Sequence, residues 1–196
     1  MTDMNRGTWF AGLLSVVWPL AAAAAPQSYL IDSGHTYPSF EAPHMGLSWW
    51  RGKFTRTSGR IVLDREAGAG TVDVTVEIPS VEFGHKAMNE VIQGEKWFNA
   101  ARYPVATYQG TAVRFENGRP VAVDGSLTMM GVTRPLSLSI TAFRCMVNPM
   151  LGREVCGADA RASFKRTDFG MNQNAQQHGA EVRLQIQVEA VREAAP

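Results

Sequence analysis

Between Pro120 and Phe143 the chain reads PVAVDGSLTMMGVTRPLSLSITAF, two runs of alternating polarity with a break between them. Val121, Val123, Gly125, Leu127 and Met129 alternate with Ala122, Asp124, Ser126 and Thr128. Beyond the break, Leu136, Leu138, Ile140 and Ala142 alternate with Ser137, Ser139, Thr141 and Phe143. A period of two sends one set of side chains to each face of a sheet. Gly131 tolerates positive φ and Pro135 cannot donate to a ladder, so the Gly131–Pro135 break reads as a reversal. The stretch is an antiparallel hairpin with one apolar face, which must be buried on a helix, on another sheet or around a ligand.

The same period recurs along the chain. Thr36, Pro38, Phe40, Ala42 and His44 share one face of a strand, with Pro38 suited to an edge or a bulge. Val72, Val74, Val76 and Ile78 alternate with polar residues, as do Val182, Leu184, Ile186 and Val188. Short strands are expected at 29–32, 105–115 and 158–166, and a pair at 49–54 and 59–64 joined through Thr55–Ser58. Only after Gly84 does the spacing change: Met88, Val91 and Ile92 fit a helix that Gly94 ends or kinks, and Tyr103-Pro104 closes the excursion. About eight substantial strands with one helical interruption and no βαβ rhythm describe an all-β chain, closed as a barrel or folded as a sandwich.

With 196 residues, 45% apolar, 19% charged and a formal net charge of +1, one globular domain is expected. Near-neutral charge without a basic, aromatic-interleaved stripe argues against nucleic acid. Arg6 precedes the apolar run Trp9–Leu20, which ends in Ala21–Ala25. This reads as a cleaved secretory signal over residues 1–25, ahead of a domain at 26–196. The alternative, an uncleaved anchor, is disfavoured because the run is short and contains Pro19. The mature protein is therefore expected in the periplasm, not as an integral membrane protein. Cys145 and Cys156 flank a ten-residue loop and suit a structural disulfide better than a redox or metal pair, since neither C-x-x-C spacing nor a His-Cys cluster is present.

Catalytic and metal signatures are sparse. His35, His44, His85 and His178 are scattered, with no H-x-x-x-H or H-E-x-x-H spacing. No G-x-S-x-G elbow or phosphate-binding glycine loop occurs. Asp168-Phe169-Gly170 reads as a strand-end turn in which Arg166 and Asp168 could pair. Bulky apolar residues are plentiful, including Phe40, Met45, Trp49, Trp50, Phe54, Phe83, Met88, Trp97, Phe98, Tyr108, Met129 and Phe164. They would serve equally as a filled core or as the lining of a hollow barrel.

An ordered set of motifs resembles the YceI-like family of periplasmic, lipocalin-like polyisoprenoid-binding proteins. These are Tyr29-x-Ile31-Asp32-x-x-His35-Thr36, Phe40 with His44-Met45-Gly46, Gly52-x-Phe54, Gly59-x-Ile61, Trp97-Phe98-Asn99, Arg102-Tyr103-Pro104, Asp124-Gly125-x-Leu127-Thr128-x-x-Gly131-Val132-Thr133-Arg134-Pro135 and Arg166-x-Asp168-Phe169-Gly170. The resemblance implies an eight-stranded antiparallel lipocalin-like β-barrel with its helix near the mouth, and a long isoprenoid lipid held by apolar contacts. Many relatives carry an Arg-Asp pair and a His around this helix, where the present chain has Met88-Asn89-Glu90-Val91. The ligand-contact positions expected from inward-facing phase are Phe40, Ala42, His44, Trp49, Phe54, Val74, Val76, Phe98, Tyr108, Leu127, Met129, Leu138, Phe164, Leu184 and Ile186. A non-enzymatic carrier for a quinone or prenyl phosphate is the leading expectation, with no catalytic residue, no metal and no cofactor besides a bound isoprenoid. Two other readings stay open. One is an enzyme acting on a hydrophobic substrate through His35 or His44 with Asp32; the other is a stress-related accessory partner of a membrane redox protein. A homodimer also remains open.

Overall fold

The computed structural model describes residues 25–194. The expected signal segment up to residue 24, and the last two residues of the expected domain, lie outside the described residues. In chain order the strands are β1 (Gln27–Ile31), β2 (Tyr37–His44), β3 (Ser48–Phe54), β4 (Thr57–Asp64), β5 (Ala69–Glu77), β6 (Val81–Glu82), β7 (Val105–Glu116), β8 (Arg119–Met129), β9 (Val132–Val147), β10 (Glu154–Lys165) and β11 (Glu181–Arg192). Helix α1 (Lys86–Ile92) separates β6 from β7, and the short α2 (Ala175–His178) precedes β11.

Eight strands close an antiparallel ring in the order β1, β4, β5, β7, β8, β9, β10, β11 and back to β1. Closure leaves no ring strand with an unpaired edge along its whole length. β11 is long enough to serve two neighbours on one side: Ile31 opposes Ala190 near its end, and β2 follows over Arg183 to Gln187. In the gap between them Thr36, almost fully buried, hydrogen-bonds both backbone groups of Glu189. Its hydroxyl thus replaces a missing ladder partner. β2, β3 and β6 continue outward from β11 as a flap that leans over one end of the ring. Pro38 opposes Ile186 but has no partner on β3, whose pairing starts at Ser39, which is the edge setting a proline needs.

The expected pairing of 49–54 with 59–64 does not form. β3 pairs with β2 and β6, whereas β4 pairs with β1 and β5. Thr55-Arg56 is a corner, not a hairpin turn, and Ser80 fastens it: Thr55 N–H donates to the Ser80 carbonyl and Arg56 N–H to its hydroxyl, each at 3.1 Å. The central hairpin does form, but its reversal is tighter than the Gly131–Pro135 break suggests. Met129 opposes Val132, leaving only Met130 (φ 53°) and Gly131 (φ 75°) in the turn. Two positive φ values are what a twisted two-residue hairpin demands. Pro135 lies within β9, opposite Ser126.

Bulges also revise the alternation. The β7–β8 register slips between Arg114 and Phe115, so Pro120 instead of Val121 faces inward. Thr141 is extra in the β9–β10 pairing, and beyond it Phe143 instead of Ala142 turns inside. One extra residue reverses every later side chain. The Thr141 segment contains no glycine or proline marking the slip, whereas the first slip falls beside Pro120.

Midway down the ring, Tyr108 lies along the inner wall and its hydroxyl donates to the carbonyls of Val123 (3.1 Å) and Leu136 (3.0 Å). Burial, with a smaller contribution from the Asp124 charge, pushes its pKa up to about 12, so it remains a donor throughout the neutral range. The ring passes over Gly125, where a Cβ would stand 2.3 Å from the Gln109 carbonyl and 2.8 Å from the Tyr108 hydroxyl. Gly125→Ala is therefore expected to destabilise the fold by about 1–3 kcal/mol through overpacking against backbone. Denaturant unfolding checks this; an unchanged midpoint would show that the wall gives way.

Candidate ligand-binding cavity

Inward-facing side chains from every ring strand surround a cavity of about 420 Å³. Val72, Val74, Leu127, Leu138, Ile140, Leu184 and Ile186 all point into the barrel yet are only half-buried. Their residual surface faces the interior space. The barrel is hollow.

One end is closed. Tyr29, Leu63, Val113 and Cys156 form an apolar floor. Beneath it Arg65 bonds Glu154 at 2.5 Å and the Tyr29 hydroxyl at 2.8 Å, while Tyr29 donates to Glu154 at 3.1 Å. The Cys145–Cys156 disulfide bridges directly opposed residues of β9 and β10 beside this network. Both strands run on past it to Val147 and Glu154, so the bridge staples the strand ends instead of merely spanning a loop mouth. Cys145, Glu154 and Cys156 bring metal-donor atoms together, but both sulfurs are spent in the disulfide.

Partial burial works to raise the Glu154 carboxyl; the hydrogen bond and charge of Arg65 outweigh it and leave the pKa below the ordinary 4.5. A depressed folded-state pKa gives stability that is present above the unfolded value and lost as pH falls through the folded one. Acid unfolding below about pH 4.5 should therefore be shallower in Glu154→Gln than in the native protein. Superimposable acid transitions would show that Glu154 is not a contributor.

The other end opens beside α1. Met88, Val91 and Ile92 line the cavity there, and Val91 is 53% exposed, so the lining meets solvent. His85 caps this helix by accepting from the Met88 N–H. Below α1, Phe40 packs on Phe54 and Phe83, with ring centroids 5.5 Å apart in each pair, and on Phe98 at 6.4 Å. This aromatic collar exists because Gly52 is bare: a Cβ there would lie 2.8 Å from Phe40.

Phe40, Ala42, His44, Phe54, Val74, Val76, Phe98, Tyr108, Leu127, Met129, Leu138, Phe164, Leu184 and Ile186 all lie on the cavity wall. Trp49 does not. It opposes Pro43, and the Arg183 guanidinium covers its ring from outside at 3.9 Å. Trp50 takes the inner position instead, opposite Ala42. Strict alternation back from Phe54 would already have chosen Trp50 over Trp49.

Two polar wall residues were not among the expected ligand contacts. His178 sits next to His44, with ring centroids 5.1 Å apart, and His44 stacks on Trp50 at 4.9 Å. Gly179 permits this closure: a Cβ there would be 2.8 Å from Pro43. Arg166 is the second. It does not pair with Asp168; it donates to the carbonyls of Gly179 (3.2 Å), Met171 (2.9 Å) and Gln173 (2.8 Å). His35 is elsewhere. It is exposed and bonded to Asp32 at 2.8 Å, each stabilising the other's charged form, with His35 raised and Asp32 lowered. The span of β2 puts it about 25–30 Å from His44, so the two histidines do not converge.

The YceI-like domain model matches residues 29–190, most of the ring and its flap. The chain belongs to the YceI-like family. A UPF0312 protein of Shewanella sp. (strain W3-18-1) is 32% identical over 182 residues, covering 91% of this chain and 94% of that protein. A UPF0312 protein of Yersinia pseudotuberculosis (serotype I) is 30% identical over 87% of this chain and 90% of its own length. Among solved structures, the Campylobacter jejuni YceI protein superposes with a TM-score of 0.67 at 24% identity, over 77% of this chain and 90% of that one. A polyisoprenoid-binding domain from Saccharophagus degradans reaches 0.59 at 17% identity, over 84% and 98%. These structures share the barrel fold. Within this YceI-like chain the family motifs fall into structural roles: Asp124-Gly125 admits Tyr108, His44-Met45-Gly46 leads into the flap hairpin, and Arg166-x-Asp168-Phe169-Gly170 forms the turn that Phe169 anchors by packing on Phe164.

Proposed function

We propose that this YceI-like protein is a non-enzymatic periplasmic carrier that holds a long-chain polyisoprenoid, of quinone or prenyl phosphate type, inside the barrel. The observation that carries this reading is the hollow, apolar interior, continuous from the Tyr29 floor to the α1 mouth. An isoprenoid chain asks for that surface and no catalytic group, gaining about 0.8 kcal/mol for each CH₂ buried. The wall residues from Phe40 to Ile186 named above are the proposed contacts, with Trp50 in place of Trp49. Membership in the YceI-like family and the fold shared with a polyisoprenoid-binding domain support the cargo class. The disulfide favours an oxidising compartment such as the periplasm, and no helix among the described residues is long and apolar enough to cross a membrane. An enzyme using His35 or His44 with Asp32 finds no support. The His35–Asp32 pair faces solvent away from the cavity, and His44, on the cavity wall, is separated from Asp32 by the length of β2.

One observation favours a second role, as an accessory partner of a membrane redox protein. Met45 and Leu47, at the β2–β3 tip beside the mouth, are 57% and 82% exposed. Mass spectrometry of an organic extract, from protein purified without detergent, separates the two. A stoichiometric isoprenoid establishes the carrier. A clean extract, with no uptake of added isoprenoid, shifts the assignment to the partner.

A further inference from the structure

Within an otherwise apolar lining, the polar side chains with ionisable nitrogen cluster at the mouth. His44 from β2 and His178 from α2 stand side by side, and both line the cavity. Directly behind His178, Arg166 grips the carbonyl of the next residue, Gly179. Arg166 is only 4% exposed. Its three carbonyl partners and the Trp97 ring, 5.3 Å from the guanidinium, satisfy it without cancelling the charge, and Nη2 has no hydrogen-bond partner among the described residues. Asp168, two residues on, is exposed and makes no ion pair with it, and Glu41 on β2 is committed to Arg51 and Arg183. On α1, Glu90 is exposed, and Lys86 adds a further positive group. A buried guanidinium without a counter-charge is costly, and proteins retain such groups where an anion completes them.

We propose that the mouth is a head-group site for an isoprenoid ending in an anionic oxygen, a phosphate or a carboxylate. His44 and His178 donate to that oxygen, and Arg166 supplies the uncompensated positive charge behind them. The assignment rests on the polyisoprenoid reading above and narrows its cargo. An imidazole pair could serve a neutral quinone carbonyl equally well; the unopposed arginine is what selects the anion. The chain lies in the barrel with its head at the entrance, so the head group need never be buried against the apolar floor.

The test compares geranylgeranyl monophosphate with geranylgeraniol, titrated against the mature protein and followed by tryptophan fluorescence, since Trp50 stacks on His44. The phosphate should bind about tenfold tighter, as charge-assisted hydrogen bonds require. His44→Phe/His178→Phe should narrow the gap between phosphate and alcohol, leaving only the preference that Arg166 confers. Equal affinities on the native protein overturn the head-group site and leave the lipid reading standing. Binding of neither probe overturns both. A gap as wide in the folded double variant as in the native protein removes the two histidines from the site. The comparison on native protein needs no variant, so a misfolded mutant does not shield the proposal.

Discussion

Ala160→Trp should abolish isoprenoid binding and leave the barrel standing. Ala160 lies halfway along β10, opposite Ile140 and Ile186, and its methyl faces the middle of the cavity. An indole there occupies space that the bound chain needs. Losing contact along four or five methylenes forfeits about 3–4 kcal/mol, a drop on the order of several hundredfold in affinity. Because the interior is hollow, the ring enters empty volume, and the folding penalty should stay within the 1–3 kcal/mol typical of overpacking. Ala142→Trp is the control: the Thr141 bulge places Ala142 on the exposed outer face of β9, where an indole should leave binding as it is. Lipid extraction and thermal unfolding of both variants decide the matter. Native-like binding by folded Ala160→Trp would mean that the chain does not occupy the barrel.

Replacing Cys145 and Cys156 together by alanine should cost about 3 kcal/mol, the chain-entropy value for a bridge closing a loop this short, at a sequence separation of 11. For a domain of this size that corresponds to a fall in Tm of about 6–12 °C. The bridge joins opposed residues, 4.0 Å apart at Cα, that are already paired in the ladder, so its stabilisation acts largely on the unfolded chain. Cys156 also lines the floor, and Arg65 lies 3.9 Å from its sulfur. Losing the bridge should therefore loosen the closed end before the aromatic collar. Hydrogen exchange resolved by residue would show this as faster exchange around Val155 and Met146, with the segment near Phe54 unchanged. An undiminished Tm in the variant would assign the stability of this end to the Arg65–Glu154–Tyr29 network instead.

Much of this architecture was legible locally. Period-two patterns in β2, β5, β8, β9 and β11 chose the inward face correctly wherever the ladder stays in phase, because pleating alone sends alternate side chains to opposite faces. The same logic failed at Val121 and at Ala142, where Pro120 and Phe143 line the cavity instead. The Thr141 bulge has no mark in its own residues and is set by pairing with the partner strand, whereas the slip at Val121 sits beside Pro120, whose missing N–H suits a bulge. Trp49 was a different kind of miss: its neighbour Phe54 carried the phase that selects Trp50.

What the residues determined by themselves is therefore local: strand phase, the α1 interruption, the disulfide pairing and the family. These follow from backbone geometry and from short motifs, each acting over a few residues. Only the tertiary structure decided that β3 leaves β4 for β2 and β6, that the interior is hollow, and that His44, His178 and Arg166 meet at its mouth. Those outcomes depend on contacts between segments that are not neighbours in the chain, from Phe54 with Val81 to His44 with His178. They are set by how the ring closes and how much volume its inward side chains leave unfilled, quantities that no single strand contains.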